Sequence, residues 1–163
     1  NAKAGKKAYI YLKLNNISDT EVINRLYEAS SAGVNIKMII RGMMSLVTGL
    51  KDISENIKAI GIVDRFLEHS RFMIFCNGGD EECFISSADL MTRNIDHRIE
   101  VTCPVFDKAL KNELKEIFQI QWNDNVKARK LDSLLSNKFV KPGKKEHHSQ
   151  LDVYSYLKKI HEK

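Results

Sequence analysis

Arg65-Phe66-Leu67-Glu68-His69-Ser70-Arg71-Phe72-Met73-Ile74-Phe75 sets an imidazole, a carboxylate and two guanidinium groups directly before an apolar run that reads as a buried strand. Polar chemistry is thereby held at the lip of a rigid element, where sites tend to form. A second apolar run follows at residues 83–87, and Asn77-Gly78-Gly79-Asp80 between the two is a turn signal. Residues 71–76 and 83–87 are therefore expected to form an antiparallel hairpin.

On the N-terminal side, Tyr9, Tyr11 and Lys13 alternate with Ile10, Leu12 and Leu14, which predicts a strand over residues 8–14. Ser18 with Glu21 reads as a capping box, and Val22, Ile23, Leu26 and Tyr27 form one helical face before Gly33 ends the helix. Val34, Ile36, Met38 and Ile40 then recur at period two until Arg41-Gly42. Strand, helix and strand within about thirty residues make a βαβ unit, with parallel strands and a right-handed crossover. Residues 43–56 read as a loop or short helix over one edge of the sheet. Residues 57–63 read as a third strand that Gly61 weakens.

Beyond the hairpin, Arg98, Glu100 and Thr102 alternate with Ile99, Val101 and Cys103, which predicts a strand over 98–103 that Pro104 ends. Asp107 is placed to cap a helix whose Leu110, Leu114, Ile117, Phe118 and Gln121 share one stripe. Leu151, Tyr154, Leu157, Lys158 and His161 suggest a last short amphipathic helix. Between them, residues 126–145 carry Lys127, Arg129, Lys130, Lys138, Lys141, Lys144 and Lys145 against Asp132 alone. A solvated, extended tail around Pro142-Gly143 and a polyanion-binding stripe both fit that composition. The expected fold class is thus α/β: a mixed sheet flanked by helices over residues 8–125, then a basic, partly helical tail over 126–163.

The 163 residues suffice for one domain with its own core, and 43% apolar with 29% charged residues is ordinary for a globular chain. No apolar run approaches the ~20 residues of a membrane helix, and no signal peptide opens the chain, so a cytoplasmic location is expected. Cys76, Cys83 and Cys103 form no CxxC pair, which argues for reduced thiols, and with His69 or His97 they lack zinc-ligand spacing. A formal charge of +5 favours acidic partners without choosing among nucleic acid, anionic lipid, nucleotides and phosphate polymers. Asn1 and a short Lys/Gly/Ala stretch lead almost at once into a strand, as in an excised domain, so a fragment is expected.

The topology gathers the polar residues. Arg41 leaves the C-terminal end of its strand and His69 precedes the N-terminal end of another, so antiparallel strands put both on one sheet edge. The hairpin returns Ser86, Ser87 and Asp89 to that edge, which also takes Arg71, with Arg93 and Arg98 as outlying members. Such a set suits phosphate: guanidinium groups fork onto two oxygens, serine hydroxyls add neutral donors, and histidine exchanges a proton near neutral pH. Each residue also has a plain structural reading; Arg98 with Glu100 at i, i+2 makes an ordinary strand-face pair.

Gly78-Gly79-Asp80-Glu81-Glu82 resembles the hairpin of diguanylate cyclases, a pattern that turn chemistry alone produces often. His69-Ser70-Arg71 followed by Ile85-Ser86-Ser87-Ala88-Asp89 resembles the half-site of the phospholipase D superfamily, with Arg71 in place of its Lys and Cys76 where its Asp stands. Those departures point to one branch. Leu26-Tyr27-Glu28-Ala29-Ser30, Ile40-Arg41-Gly42, Ser54-Glu55-Asn56-Ile57, the stretch 65–71, Asn77-Gly78-Gly79, residues 85–89 and Met91-Thr92-Arg93-Asn94 together resemble the C-terminal region of bacterial polyphosphate kinases. Around residues 43–49 the family more often shows Cys and Pro.

The resemblance implies a phospholipase D-like α/β sandwich that forms the second of two catalytic halves. It implies reversible transfer of the ATP γ-phosphate to polyphosphate through a phosphohistidine on the preceding half, which has no counterpart here, so the fragment alone is expected to be inactive. Arg41 matches the family's ATP-phosphate-binding arginine and His69 its second active-site histidine. Glu68, Arg71, Ser86, Ser87, Arg93, Arg98 and Glu100 are the expected supporting residues, with Glu68 or Glu100 orienting His69. Mg2+ and ATP serve the complete enzyme, and no residue here is assigned as a metal ligand. ATP/ADP, inorganic polyphosphate, the N-terminal half of the same polypeptide and a homo-oligomer are the implied partners, without nucleic acid; membrane association of the complete protein stays open. The rival expectations are a phospholipase D-like nuclease or phosphodiesterase acting as a homodimer, and a polyanion-binding module.

Overall fold

The computed structural model describes every residue except Pro142, Lys144 and Lys163. Its seven strands are β1 (Tyr9–Leu14), β2 (Asn35–Ile40), β3 (Ile57–Gly61), β4 (Phe72–Phe75), β5 (Glu82–Ser86), β6 (Thr102–Val105) and β7 (Arg129–Lys130). They form one sheet in the order β6-β5-β4-β1-β2-β3-β7. β1, β2 and β3 run parallel, while β4 pairs antiparallel with β1, β5 with β4, β6 with β5, and β7 with β3. The expected βαβ unit and hairpin are both present, and β1 is the seam where they join.

Helices cover both faces of β1. On one, Leu12 and Leu14 pack with Ile23 and Leu26 of α1 (Thr20–Ser31). On the other, Tyr9, Phe72 and Ile74 pack with Phe118 of α3 (Lys108–Trp122). Tyr11 stacks between Tyr9 and Phe118, at centroid distances of 4.8 and 4.9 Å, and Trp122 continues the column. Burying a ring as fully as Phe118 contributes about 1.5–3 kcal/mol, so this column anchors α3 to the sheet. α4 (Ser149–His161) packs in turn on α3.

Four sequence expectations change. The cap of α1 is Asp19, whose carboxylate accepts the Val22 N–H at 3.0 Å, and not Ser18. The second Asp19 carboxylate oxygen accepts Thr92 Oγ1 at 2.8 Å, which holds that side chain in its capping position, while the Ser18 and Asp19 N–H groups both turn to the Leu90 carbonyl. The strand expected at 98–103 begins only at Thr102 and runs through Pro104. Ile99 is fully exposed and Val101 is exposed too, so the apolar half of that alternation faces solvent and packs on no sheet face. Pro104 is tolerated because β6 is the outermost strand and need not donate outward. Residues 92–96, without a helical expectation, form the short α2 (Thr92–Asp96).

The fourth change concerns the basic stretch. Ala128 is wholly buried, β7 adds an edge strand against β3, and the Val140 N–H returns to the Ala128 carbonyl. An extended, solvated tail is therefore wrong for residues 126–140; Pro142 and Lys144 of that stretch lie outside the described residues. The three cysteines are free thiols, as expected, with Cys76 and Cys83 buried and Cys103 exposed. No described helix is long and apolar enough to cross a membrane.

Candidate phosphate-binding edge

The registers Leu14↔Ile40 and Lys13↔Phe72 place Arg41, Asn15 and Arg71 just beyond the paired ends of three adjacent strands. Arg41 and Arg71 are thus two strand spacings apart, about 10 Å across the sheet. Phe72↔Ile85 brings Ser86 opposite Arg71, and the Ser86 N–H donates to the Arg71 carbonyl at 2.9 Å. This is the shared edge that topology predicted.

Glu68, His69, Arg71 and Ser86 line one open cleft of about 620 Å³, closed at the back by Leu114, Ile117 and Gln121 of α3 and by Gln150 of α4. His69 is exposed at its mouth. Arg41 does not line the cleft; it extends the same edge beyond β2, with its Nε donating to Asn15 Oδ1 at 3.0 Å. Ser87, Arg98 and Glu100 form a separate network: Ser87 Oγ donates to Glu100, Asn94 Nδ2 donates to Glu100 at 2.6 Å, and Arg98 Nε lies 3.3 Å from the same carboxylate. Those hydrogen bonds from Ser87 and Asn94 hold Glu100 below the usual carboxylate range. Arg93 is exposed on α2. Neither expected orienting carboxylate reaches His69: Glu100 is spent on this network, and Glu68 faces inward.

Two buried charges organise the edge: Asp89, which was expected on it without a role, and Lys13, which was not expected there. Asp89, on the loop after β5, accepts the backbone N–H groups of Asn15 and Asn16 at 2.8 and 3.1 Å, Asn16 Nδ2 at 2.9 Å and Arg71 Nε at 2.9 Å. Burial opposes its ionisation, but Arg71 and these donors outweigh it and hold Asp89 below the usual carboxylate range. Arg71 is consequently braced and aimed, in contrast to a free surface arginine.

Lys13 is the other. It lies on β1, 1% exposed, between Ile39 and Phe72. Its Nζ donates to the Glu68 carbonyl at 3.5 Å and sits 4.0 Å from Glu68 Oε2. Burial pushes Lys13 down to about 8, opposed by Glu68 and reinforced by Arg41 and Arg71. Glu68 also accepts Gln121 Nε2 at 3.1 Å and Gln150 Nε2 at 2.9 Å, and Gln150 clasps Phe66 through both its N–H and its carbonyl. Strand alternation had grouped Lys13 with Tyr9 and Tyr11, a face that reads as half-exposed until α3 is known to cover it. Gln121 did leave a signal, as a polar residue on an apolar helical stripe.

A seven-stranded mixed sheet flanked by helices is the fold of phospholipase D-like domains. Nuc of Salmonella typhimurium, a phospholipase D family member, shares the fold with a TM-score of 0.60 at 18% identity, over 81% of this chain and 87% of its own. NucT of Helicobacter pylori does so with a TM-score of 0.55 at 12% identity, over 72% and 80%. Within that class, the family model described as polyphosphate kinase C-terminal domain 2 matches residues 1–150. The chain belongs to the polyphosphate kinase family. The polyphosphate kinases of Vibrio vulnificus (strain YJ016) and Escherichia coli (strain K12) are 56% and 50% identical to it over 161 residues, 98% of this chain and 23% of theirs. Polyphosphate kinase from Porphyromonas gingivalis superposes with a TM-score of 0.96 at 47% identity, over 99% of this chain and 25% of its own. The chain therefore spans about a quarter of the length of these relatives.

Proposed function

We propose that this chain supplies the nucleotide-phosphate side of a polyphosphate kinase site whose nucleophilic histidine lies elsewhere in the complete polypeptide. One observation supports this reading: the exposed His69 and the braced Arg71 line one cleft, and Arg41 lies along the same strand edge two strands away. As the γ-phosphoryl group passes from ATP to an imidazole, the P–O bond to the departing ADP breaks, a P–N bond forms, and charge spreads over the oxygens. Arg41 and Arg71 face that charge already oriented, so they stabilise it without reorganising. His69 hydrogen-bonds or protonates the phosphate oxygen that bridges to the leaving group. Polyphosphate then accepts the phosphoryl group from the imidazole, breaking P–N and forming P–O, and the sequence runs in reverse when ADP is in excess.

Magnesium does not fit the carboxylates here. Glu68, Asp89 and Glu100 are each taken by amide, hydroxyl or basic partners, and no three His, Cys, Asp or Glu residues converge among the described residues. The reading accordingly leaves magnesium to the nucleotide and to residues outside this chain. ATP or ADP, polyphosphate, the rest of the polypeptide and a homo-oligomeric assembly are its partners, in the cytoplasm and without nucleic acid. The isolated chain is inactive on this reading. The test is His69→Ala in the complete enzyme, which should lower the rate of polyphosphate synthesis by about 10²- to 10⁴-fold. Unchanged synthesis and phosphoenzyme turnover would sink the assignment, and diester hydrolysis by the chain alone would favour a phospholipase D-like phosphodiesterase.

A further inference from the structure

A lysine in the middle of a sheet is an expensive choice. Lys13 pairs laterally with Ile39 and Phe72, lies 1% exposed, and occupies a face otherwise made of Tyr9, Phe72 and Phe118. A methionine would fill the same space without desolvating a charge. Its three N–H donors have one described hydrogen bond, to the Glu68 carbonyl at 3.5 Å, beside the Glu68 carboxylate at 4.0 Å. The charged groups facing it are Glu68 from the segment before β4, Arg71 from the start of β4, Arg41 from the end of β2 and Asp89 from the loop after β5. α3 contributes only the neutral Gln121, which donates to Glu68. Asp89 is already saturated by Arg71 and three N–H donors, so Glu68 is the group that Lys13 serves.

Glu68 immediately precedes His69. Its two carboxylate oxygens are held by Gln121 and Gln150, and Gln150 also pins Phe66. We propose that Lys13 is a positioning residue for phosphoryl transfer, whose ammonium fixes the Glu68 carbonyl and carboxylate and, through the backbone, sets where the adjoining His69 stands at the cleft. This rests on the function proposed above. Lys13 is too buried to touch substrate, and it acts through Glu68. Once its proton is lost, Glu68 has no counter-charge beneath it and the segment carrying His69 loosens. Because burial brings that proton off near pH 8, the loosening falls at mildly alkaline pH.

The experiment is the pH profile of ATP-to-polyphosphate transfer by the complete enzyme, comparing wild type, Lys13→Met, Glu68→Gln and His69→Ala. Wild type should lose kcat on an alkaline limb near pH 8. Lys13→Met should lower kcat by about 10²-fold at neutral pH, as a misplaced catalytic group does, and erase that limb. Its KM for ATP should stay within about threefold, since no contact to substrate is removed. A wild-type kcat in Lys13→Met, or a lowered kcat with the limb unmoved, overturns the proposal. Glu68→Gln breaks the same pair without touching the core and should copy Lys13→Met; an intact alkaline limb in Glu68→Gln overturns the proposal even if Lys13→Met misfolds. A rate that falls in His69→Ala but not in Lys13→Met refutes the positioning role alone. A rate unchanged in His69→Ala refutes the functional reading beneath it.

Discussion

Arg71 Nε stands 2.9 Å from Asp89 Oδ1, and this pair ties the start of β4 to the loop leaving β5. Both side chains are largely buried, 14% and 5% exposed, so neither can turn to water if its partner is lost. Asp89→Ala would strand the guanidinium and the N–H groups of Asn15 and Asn16 together. The expected loss is about 3–5 kcal/mol of stability, the cost of breaking a buried pair from one side. Urea denaturation at neutral pH checks it. The sign with pH follows from the lowered Asp89: its contribution is complete above the ordinary carboxylate value of 3.8 and disappears as pH falls through the lower folded value. Asp89→Asn should therefore weaken the chain at neutral pH and show a shallower decline below pH 4.

Lys13 predicts the opposite trade. Folding lowers it from 10.5 to about 8, so the unfolded chain binds more protons between those values and stability rises with pH across that window. Below it the buried ammonium costs on the order of 3 kcal/mol. Lys13→Met should be more stable than wild type at neutral pH, and the advantage should shrink from pH 8 upward. Melting curves collected at neutral and alkaline pH measure the difference.

Gly42 follows Arg41, and a Cβ built there would lie 2.5 Å from Asn16 Oδ1 and 3.1 Å from the Asn15 carbonyl. Asn16 cannot swing aside, because its Oδ1 accepts the Met43 N–H at 2.9 Å and its Nδ2 holds Asp89. Gly42→Ala should thus cost about 1–3 kcal/mol through overpacking. The displacement passes directly to Arg41 and Asn15, so weaker nucleotide binding should accompany the lost stability, which calorimetry with ATP on the complete enzyme would detect.

Gln150 donates to Glu68 and the Phe66 carbonyl, and accepts the Phe66 N–H at 3.0 Å. Gln150→Ala should release the segment before β4 while leaving the sheet intact. Amide hydrogen exchange resolves the two: faster exchange at Phe66 with unaltered protection in β1 is the expected outcome, and uniform acceleration would argue against a local role.

Where strand order decided position, the sequence was legible. Arg41, Arg71 and Ser86 could be put on one edge because parallel and antiparallel pairings leave no other place for them. Local competition was harder to see. Ser18 and Asp19 are both good helix caps, and what sets Asp19 apart is a partner distant in sequence, Thr92, whose hydroxyl donates to its second carboxylate oxygen while the first caps α1. Residues 98–101 alternate like a strand, yet Arg98 and Glu100 pair with each other and Ser87, and no strand forms before Thr102. Lys13 was hidden for a related reason: alternation distinguishes two faces of a strand but cannot tell that a helix 100 or so residues later will cover the polar one. Asp89 was visible as a residue of the edge, while its part as the acceptor shared by the end of β1 and Arg71 depends on contacts distant in sequence.

Pro104 has a consequence for how the sheet meets other chains. It removes a donor from the outermost strand at one side, and at the other side the sheet closes on β7, only two residues long. Neither flank offers a run of free backbone groups long enough to template another strand, which guards the domain against edge-to-edge aggregation. Whatever joins this domain must be received at the ends of its strands, where His69 and the arginines are, or on its helices.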